Sequence, residues 1–348
     1  MMNKLTVLMP SYNRGAYINE AVTSVLNQKT DFGVKLIITD DCSTDGSIEI
    51  IEKLQEKHPE KIEILLSEKN ERLLANILKA QVRVQTEYFC VLDPDDYYTD
   101  EFFLQKAVDF LDAHKDFTIY SSNCMMLYEN KTEKPFIESN VKDESNVKEA
   151  IFDFNDLLQD KVIITQTAGS IFRNIVYNNG IPEIIKNAIG TYSESSFRAD
   201  TERYIFHLEK GKAFFQNEIV AVYRIHKDGI WTKENQFHRN LLAAQAYYDY
   251  FRYFDYTNAE YFIHHSLFYA KECFEELKKA IDKNEFTQTI VQSDVEQLFF
   301  IIIEDEKYFN KTAKDNDKFY IKKTLTVRKV IKCLLPYGFV RLIQKIRR

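Results

Sequence analysis

EYFCVLDPDDYY, Glu87 to Tyr98, is the stretch that decides the reading of this chain. Five apolar or aromatic residues, Tyr88 to Leu92, run directly into Asp93-Pro94-Asp95-Asp96. A short apolar run ended by acid has the pattern of a buried parallel strand with carboxylates at its C-terminal tip. That tip is where open α/β sheets bind ligands. Three carboxylates in four residues repel one another, and a bound cation is a physical reason to gather them. Hard oxygen donors suit Mg²⁺ or Mn²⁺. A solvated acidic turn punctuated by Pro94 has the same sequence, so the cluster needs support from elsewhere in the chain.

Upstream, strands and helices alternate. Leu5 to Met9 reads as a buried strand, ended by Pro10-Ser11-Tyr12-Asn13-Arg14, and Tyr17 to Leu26 has helical apolar spacing. Val34 to Thr39 is a second strand ending at Asp40-Asp41, and Ser43, Thr44 or Asp45 can cap the helix that follows. Ile62 to Leu66 is a third strand and Leu73 to Val84 a third helix. The predicted class is α/β, a doubly wound, mostly parallel sheet with right-handed crossovers. Polar residues sit at three strand tips, which share one edge of such a sheet, and this convergence strengthens the functional reading of the acidic cluster. No GxGxxG follows the first strand, which disfavours a dinucleotide fold.

Composition narrows the class further. The 348 residues carry a net charge of −7, with no global attraction to nucleic acid. Nine Gly and six Pro against 26 Phe and 21 Tyr describe a folded, aromatic-rich protein. Cys42, Cys90, Cys124, Cys273 and Cys333 contain no CxxC pair and suggest neither zinc nor disulfides, as in a reducing compartment. The apolar run before Pro10 is too short for a signal peptide, and no run reaches the roughly 18–20 residues of a membrane span. The expected location is cytoplasmic.

LTVLMPSYNRGAYINEAVTSVLNQ, LIITDDCSTDGS and EYFCVLDPDDYYTDEF, in that order and spacing, resemble the family 2 glycosyltransferases of bacteria. The resemblance covers roughly residues 3 to 235. It implies the GT-A nucleotide-diphospho-sugar transferase fold and an inverting transfer from a UDP-sugar donor to a hydroxyl acceptor. Pro10, Ser11 and Tyr12 match the loop that holds the nucleobase, and Asp41 matches the aspartate that accepts the uracil N3–H. A carboxylate facing an imide N–H prefers uracil to cytosine, whose N3 is an acceptor. Asp93 and Asp95 match the DxD motif, Asp95 as ligand of Mn²⁺ or Mg²⁺ and Asp93 at the ribose or a metal-bound water. Asp40 and Asp96 are assigned supporting roles. Near Arg72 and Asn76 the chain departs from the family pattern, which has a glycine and an Ala-Arg-Asn run. Arg72 is either a donor contact or a solvated arginine at a helix start.

Further along, Phe102 to Leu111 reads as a helix and Phe117 to Ser121 as a strand. The charge-dense ENKTEKP and ESNVKDESNVKE segments read as a surface loop. Thr165 to Arg173 resembles the strand that floors the acceptor site. Asp200 opens a helix whose apolar positions are Tyr204, Ile205 and Leu208. An N-cap role accounts for an aspartate there, whereas the resemblance implies the catalytic base, with Glu202 and Glu194 as weaker alternatives. The family's acidic pair is Ala199-Asp200 here, its first acid missing. Glu218 to Ile225 reads as a strand ending at His226, which the resemblance places near the metal and diphosphate. Neutral imidazole is a good Mn²⁺ ligand, and a polar residue at the edge of the core is the alternative. Trp231 follows in what resembles a lid.

The family motifs stop near residue 236. Asn240 to Phe254, Glu260 to Ile281 and Val291 to Glu304 have helical spacing, which predicts an all-helical extension or a homodimer surface. Residues 322–348 hold nine Lys or Arg and no acid, with apolar stripes either side of Pro336-Tyr337-Gly338. Such a segment lies on anionic membranes, here the inner leaflet, or docks on the protein with its basic face solvated. The expected organisation is a donor-binding half over 1–120, an acceptor-binding half over 121–235, the helical extension over 236–320 and the basic tail over 321–348. The expected enzyme is a peripheral hexosyl- or N-acetylhexosaminyltransferase acting on a glycan or lipid-linked glycan in cell-surface polysaccharide, lipooligosaccharide or capsule synthesis. A nucleotide-sugar-binding protein without catalysis and a sugar-phosphate nucleotidyltransferase are the alternatives.

Overall fold

The computed structural model describes residues 2–140, 147–197, 200–254, 259–282, 290 and 292–312. The chain divides into two compact units, Met1–Gly229 and Ile230–Arg348. The first opens with β1 (Asn3–Ser11), α1 (Ile18–Leu26), β2 (Gly33–Asp40), α2 (Ser47–Lys57), β3 (Ile62–Leu66), α3 (Arg72–Gln81) and β4 (Tyr88–Val91). It continues through β5 (Tyr97–Tyr98), α4 (Phe103–Ala113), β6 (Phe117–Tyr128), β7 (Glu133–Pro135), α5 (Phe136–Asn140), β8 (Glu149–Phe152) and α6 (Phe154–Leu157). It closes with β9 (Ser170–Arg173), α7 (Glu183–Ala188), α8 (Asp200–Leu208) and β10 (Lys212–Ile225).

Among the described residues, ten strands form one mixed sheet with the main order β3-β2-β1-β4-β9-β6-β10-β5. β1 pairs in parallel with β2 and β4, and β2 with β3, so the first half is the parallel, doubly wound part. β9 runs antiparallel between β4 and β6, while β10 pairs in parallel with β6. This is the GT-A arrangement expected from the sequence.

Apolar side chains alone do not alternate along β1 because both faces of the sheet are covered. Leu5, Val7 and Met9 join Ile18, Val22, Val25, Leu104 and Val108 in one core cluster. On the opposite side α3 packs against β1 and β2 and buries Leu74, Ile77 and Leu78. Each fully buried aliphatic or aromatic side chain contributes about 1.5–3 kcal/mol, so this double-sided packing fixes where the strand tips lie. The chain goes from β1 outward to β2 and β3, then returns to β4 on the other side of β1. The crevice at that switch is the ligand position of open α/β sheets. Registers Ser11↔Asp40 and Leu8↔Val91 bring the β1, β2 and β4 tips together.

The polar segment after β6 is more ordered than its sequence suggests. β7 pairs antiparallel with β6, and β8 with β10. These strands are short and lie at sheet margins, where backbone pairing suffices and an apolar period is not required. Residues 141–146 fall outside the described residues. β10 begins at Lys212, earlier than its sequence suggests, with register shifts between Gln216 and Ala221 that interrupt the alternation.

The second unit contains α9 (Ile230–Lys233), α10 (Gln236–Tyr253), α11 (Ala259–Asp282) and α12 (Gln292–Thr312). α10, α11 and α12 pack together around buried Phe237, Leu241, Tyr250, Phe262, Leu298 and Ile302. Among the described residues, no helix is long and apolar enough to cross a membrane. The basic tail lies outside the described residues.

Candidate active site

The tips of β1 and β2 are stitched into one wall. The Asn13 backbone N–H donates to Ser43 Oγ (2.7 Å), Arg14 N–H to Ser47 Oγ (3.0 Å) and Gly15 N–H to Asp45 Oδ2 (2.8 Å). Thr44 N–H returns the link to Asn13 Oδ1 (2.8 Å). Asp45 also holds Ser47 at the start of α2, while the N-cap position itself is Gly46. Asn76, reaching up from α3, donates its amide to the Ser11 and Thr39 carbonyls and ties the two strands together.

On this wall Ser11 is buried, and its Oγ has no hydrogen-bond partner among the described residues. Pro10 is buried beside it, and Tyr12 stands at the mouth, 46% exposed. Asp40 turns inward and accepts from Ser43 N–H and Oγ–H, a structural role. Asp41 accepts from the backbone N–H groups of Glu71 (2.8 Å) and Arg72 (2.9 Å), one on each carboxylate oxygen. Each oxygen keeps a further lone pair. Arg72, exposed at the start of α3, has φ of +72°. That left-handed conformation favours glycine, the residue the family pattern carries there.

The opposite side is built on the β4 tip. Asp96 N–H donates to the Asp93 carbonyl (3.0 Å), closing the Asp93-Pro94-Asp95-Asp96 turn. Asp93 is half-buried, with its own electrostatic or hydrogen-bonded partner. Asp96 is buried and accepts from Arg224 N–H (2.9 Å), locking the turn to β10. Burial first, then the charges of Asp95 and Asp93, lift its carboxyl well above the usual aspartate range.

Asp95 is the point of convergence. Its Oδ2 accepts from His226 Nε2 (3.0 Å), 131 residues away in sequence, and from Arg14 Nε (3.0 Å). Burial alone would raise the Asp95 carboxyl. The His226 hydrogen bond and the Arg14 charge outweigh it and hold the group below its ordinary value. His226 is 6% exposed, packs against Tyr17 with ring centroids 5.2 Å apart, and leaves Nδ1 without a hydrogen-bond partner. Arg224 braces the cluster by pairing with Glu20, bonding the Asp95 carbonyl and lying over the rings of Tyr97 (4.5 Å) and Tyr17 (5.3 Å). A carboxylate oxygen and an imidazole nitrogen 3.0 Å apart are ligand types that suit a small divalent cation, which would take the place of the hydrogen bond between them. Mg²⁺-type sites use one or two protein ligands and leave the remaining positions to water and phosphate. Among the described residues, no group of three or more His, Cys, Asp or Glu is arranged to hold a metal.

Asp200 is the first residue of α8, and its side chain lies outside the described residues, as does that of Trp231. α8 itself is firmly seated. Tyr204 is fully buried, its hydroxyl 3.0 Å from Ser170 Oγ and 3.2 Å from Thr165 Oγ1. The buried His207 ring faces the Arg203 (2.7 Å) and Arg173 (3.1 Å) carbonyls. Glu194 accepts from Gly190 N–H (2.7 Å), a turn-closing role, and Glu202 is buried.

Arg14 and Arg224 are the site residues that the sequence reading did not assign. Both adjoin assigned positions, in PSYNR and YRIH, but an arginine in a loop, as Arg14 is, or at the end of a strand, as Arg224 is, is ordinarily solvated and carries no signal by itself.

The fold is that of the GT-A glycosyltransferases. Residues 6–173 match the model of glycosyl transferase family 2, and this segment belongs to that family. An uncharacterized Mycobacterium bovis protein is 26% identical over 227 residues, 65% of this chain and 60% of its own length. A Bacillus subtilis protein assigned to teichuronic acid biosynthesis as the glycosyltransferase TuaG is 29% identical over 227 residues, 65% of this chain and 81% of its own. The poly(ribitol-phosphate) beta-N-acetylglucosaminyltransferase TarS of Staphylococcus aureus is 34% identical over 117 residues, 32% of this chain and 20% of its own. The chain thus has relatives in cell-wall polysaccharide synthesis, although it spans only 60% of the first of these proteins. Among solved structures, TarS residues 1–349 with UDP-GlcNAc superpose with a TM-score of 0.55 at 16% identity, over 87% of this chain and 80% of that one. The Pyrobaculum calidifontis mannosyltransferase with GDP-Man and Mn²⁺ gives 0.50 at 15% identity, over 92% and 84%. At such identities the likeness concerns the fold.

Proposed function

We propose that this protein transfers a sugar, as a hexosyl- or N-acetylhexosaminyltransferase, from a UDP-sugar to a hydroxyl of a glycan or lipid-linked glycan, with inversion. The observation that carries this reading is the meeting of Asp95 and His226 at the switch-point crevice. Asp95 and His226 would hold Mn²⁺ or Mg²⁺, with Asp93 beside them at the ribose or a metal-bound water. A divalent cation bound there supplies charge stabilisation to a departing diphosphate. Pro10, Ser11 and Tyr12 frame the nucleobase, Tyr12 by its exposed ring. Asp41, fixed by two backbone N–H groups, offers its remaining lone pairs to the uracil N3–H. Arg72, exposed on the same wall, would contact the donor.

Asp200 takes the proton of the attacking hydroxyl. A base on one side of the sugar and a diphosphate on the other describe a single displacement. The seating of α8 through Tyr204 and His207 supports this role, because a base must be held still relative to its proton. Asp200→Asn is expected to lower turnover by roughly 10²–10⁴-fold while leaving donor affinity unchanged. Wild-type turnover in that variant would remove Asp200 from the mechanism.

The reaction class is tested by incubating the protein with UDP-GlcNAc, UDP-glucose, UDP-galactose and GDP-mannose in Mn²⁺ and measuring the released nucleotide. UDP release from a UDP-sugar is expected. Pyrophosphate release from UTP and a sugar phosphate would instead make it a nucleotidyltransferase, and binding with no turnover a binding protein. The basic tail, residues 322–348, is proposed to hold the enzyme at the cytoplasmic membrane surface, where a lipid-linked acceptor resides.

A further inference from the structure

Arg14 is a cation already seated on the oxygen that the proposed metal requires. Its Nε donates to Asp95 Oδ2 at 3.0 Å, and both groups are only 15% exposed. The rest of the guanidinium is bonded to backbone, Nη1 to the Tyr12 (3.3 Å) and Asn13 (3.1 Å) carbonyls and Nη2 to the Asp228 carbonyl (3.3 Å). His226 Nε2 donates to the same Oδ2. Two donors therefore cover Oδ2, the Asp95 oxygen that faces His226 and hence the one a cation held by both residues would use, and one of the donors carries a permanent positive charge. Divalent metal at about 2.1 Å from that oxygen cannot share it with both donors, and it repels a guanidinium in a partly buried site.

A diphosphate changes this balance. Phosphate oxygens accept two parallel N–H bonds from a guanidinium, so they give Arg14 a new partner as it leaves Asp95. The same anion supplies oxygen ligands to the cation. The Arg14 backbone need not move, because its N–H is held by Ser47 Oγ and its carbonyl accepts from Tyr17 and Ile18 at the start of α1. Only the side chain changes partners.

We propose that Arg14 is a positioning residue that keeps Asp95 and His226 closed to a divalent cation until a nucleoside diphosphate arrives, making cation and donor bind as a unit. This rests on the metal role assigned above to Asp95 and His226. Because coupling is reciprocal, Mn²⁺ then tightens UDP by the same factor as UDP tightens Mn²⁺.

The test is Mn²⁺ binding to the full-length protein, followed by electron paramagnetic resonance with and without saturating UDP. Wild type should bind Mn²⁺ weakly alone and much more tightly with UDP. In Arg14→Gln, nucleotide-free Mn²⁺ affinity should rise roughly tenfold, and the gain from UDP should shrink correspondingly. Arg14→Lys keeps the charge and should stay close to wild type without nucleotide, which separates competition by charge from a packing defect. Unchanged or weaker nucleotide-free Mn²⁺ binding in Arg14→Gln overturns the inference while leaving the metal reading intact. Absence of Mn²⁺ binding to wild type even in saturating UDP overturns the metal reading and this inference with it.

Discussion

Arg72 holds a backbone conformation that costs a non-glycine residue on the order of 1 kcal/mol. Its N–H nevertheless caps Asp41 at 2.9 Å, so the turn is imposed by the site. Arg72→Gly should raise urea stability by up to about 1 kcal/mol, partly offset by the greater freedom of glycine in the unfolded chain. If the guanidinium meets the donor, the same variant should bind UDP-sugar more weakly. A stability gain with unchanged UDP-sugar affinity would assign Arg72 to the solvent. At this scale Asp93, Asp95 and Asp96 stood out because a carboxylate cluster at a strand tip is unusual, whereas His226 was expected beside them only through the family resemblance. The competing Arg14 was hidden because its role depends on a partner 81 residues away, and nothing local marks it.

At the scale of elements, β10 and α8 decide whether the second half of the sheet serves the first. β10 delivers Arg224 and His226 to the β4 turn, and α8 packs on β6 and β10 with His207 as one of its anchors. Burial pushes the His207 imidazole from its ordinary 6.5 down to about 4. The unfolded chain therefore takes up a proton between those values while the folded one does not. His207's contribution to stability is complete above pH 6.5 and is lost as pH falls toward 4, by up to about 3 kcal/mol. Urea midpoints at pH 5 and pH 7.5 should differ more in wild type than in His207→Gln, which cannot titrate. An identical pH slope in the two proteins would contradict the buried neutral ring. The parallel half was legible because apolar runs alternated with amphipathic helices. β7 and β8 were not, since margin strands need only backbone partners and their sequences, EKP and EAIF, carry no period.

At the scale of the whole molecule, an acidic chain of net charge −7 ends in a segment of nine basic residues without an acid. A polybasic surface gains about 1 kcal/mol per Lys or Arg near an anionic membrane. Full-length protein should sediment with phosphatidylglycerol-containing liposomes and lose this on removal of residues 322–348, while retaining UDP binding. Equal sedimentation of the truncated protein would leave the tail as a docked segment. The helical extension was legible from its spacing, but its aromatics gave no hint of a ligand: Phe237, Tyr250, Phe251, Phe262 and Phe299 are core residues of α10, α11 and α12, while Tyr253, Phe268 and Phe300 are exposed. The central claim concerns the crevice, where Asp95 and His226 are proposed to serve a metal-linked UDP-sugar. Calorimetric titration of UDP with and without Mn²⁺ tests it most directly. Wild type should bind UDP more tightly in Mn²⁺, and Asp95→Asn should lose that increment. Equal, Mn²⁺-enhanced UDP affinity in both proteins would contradict the account.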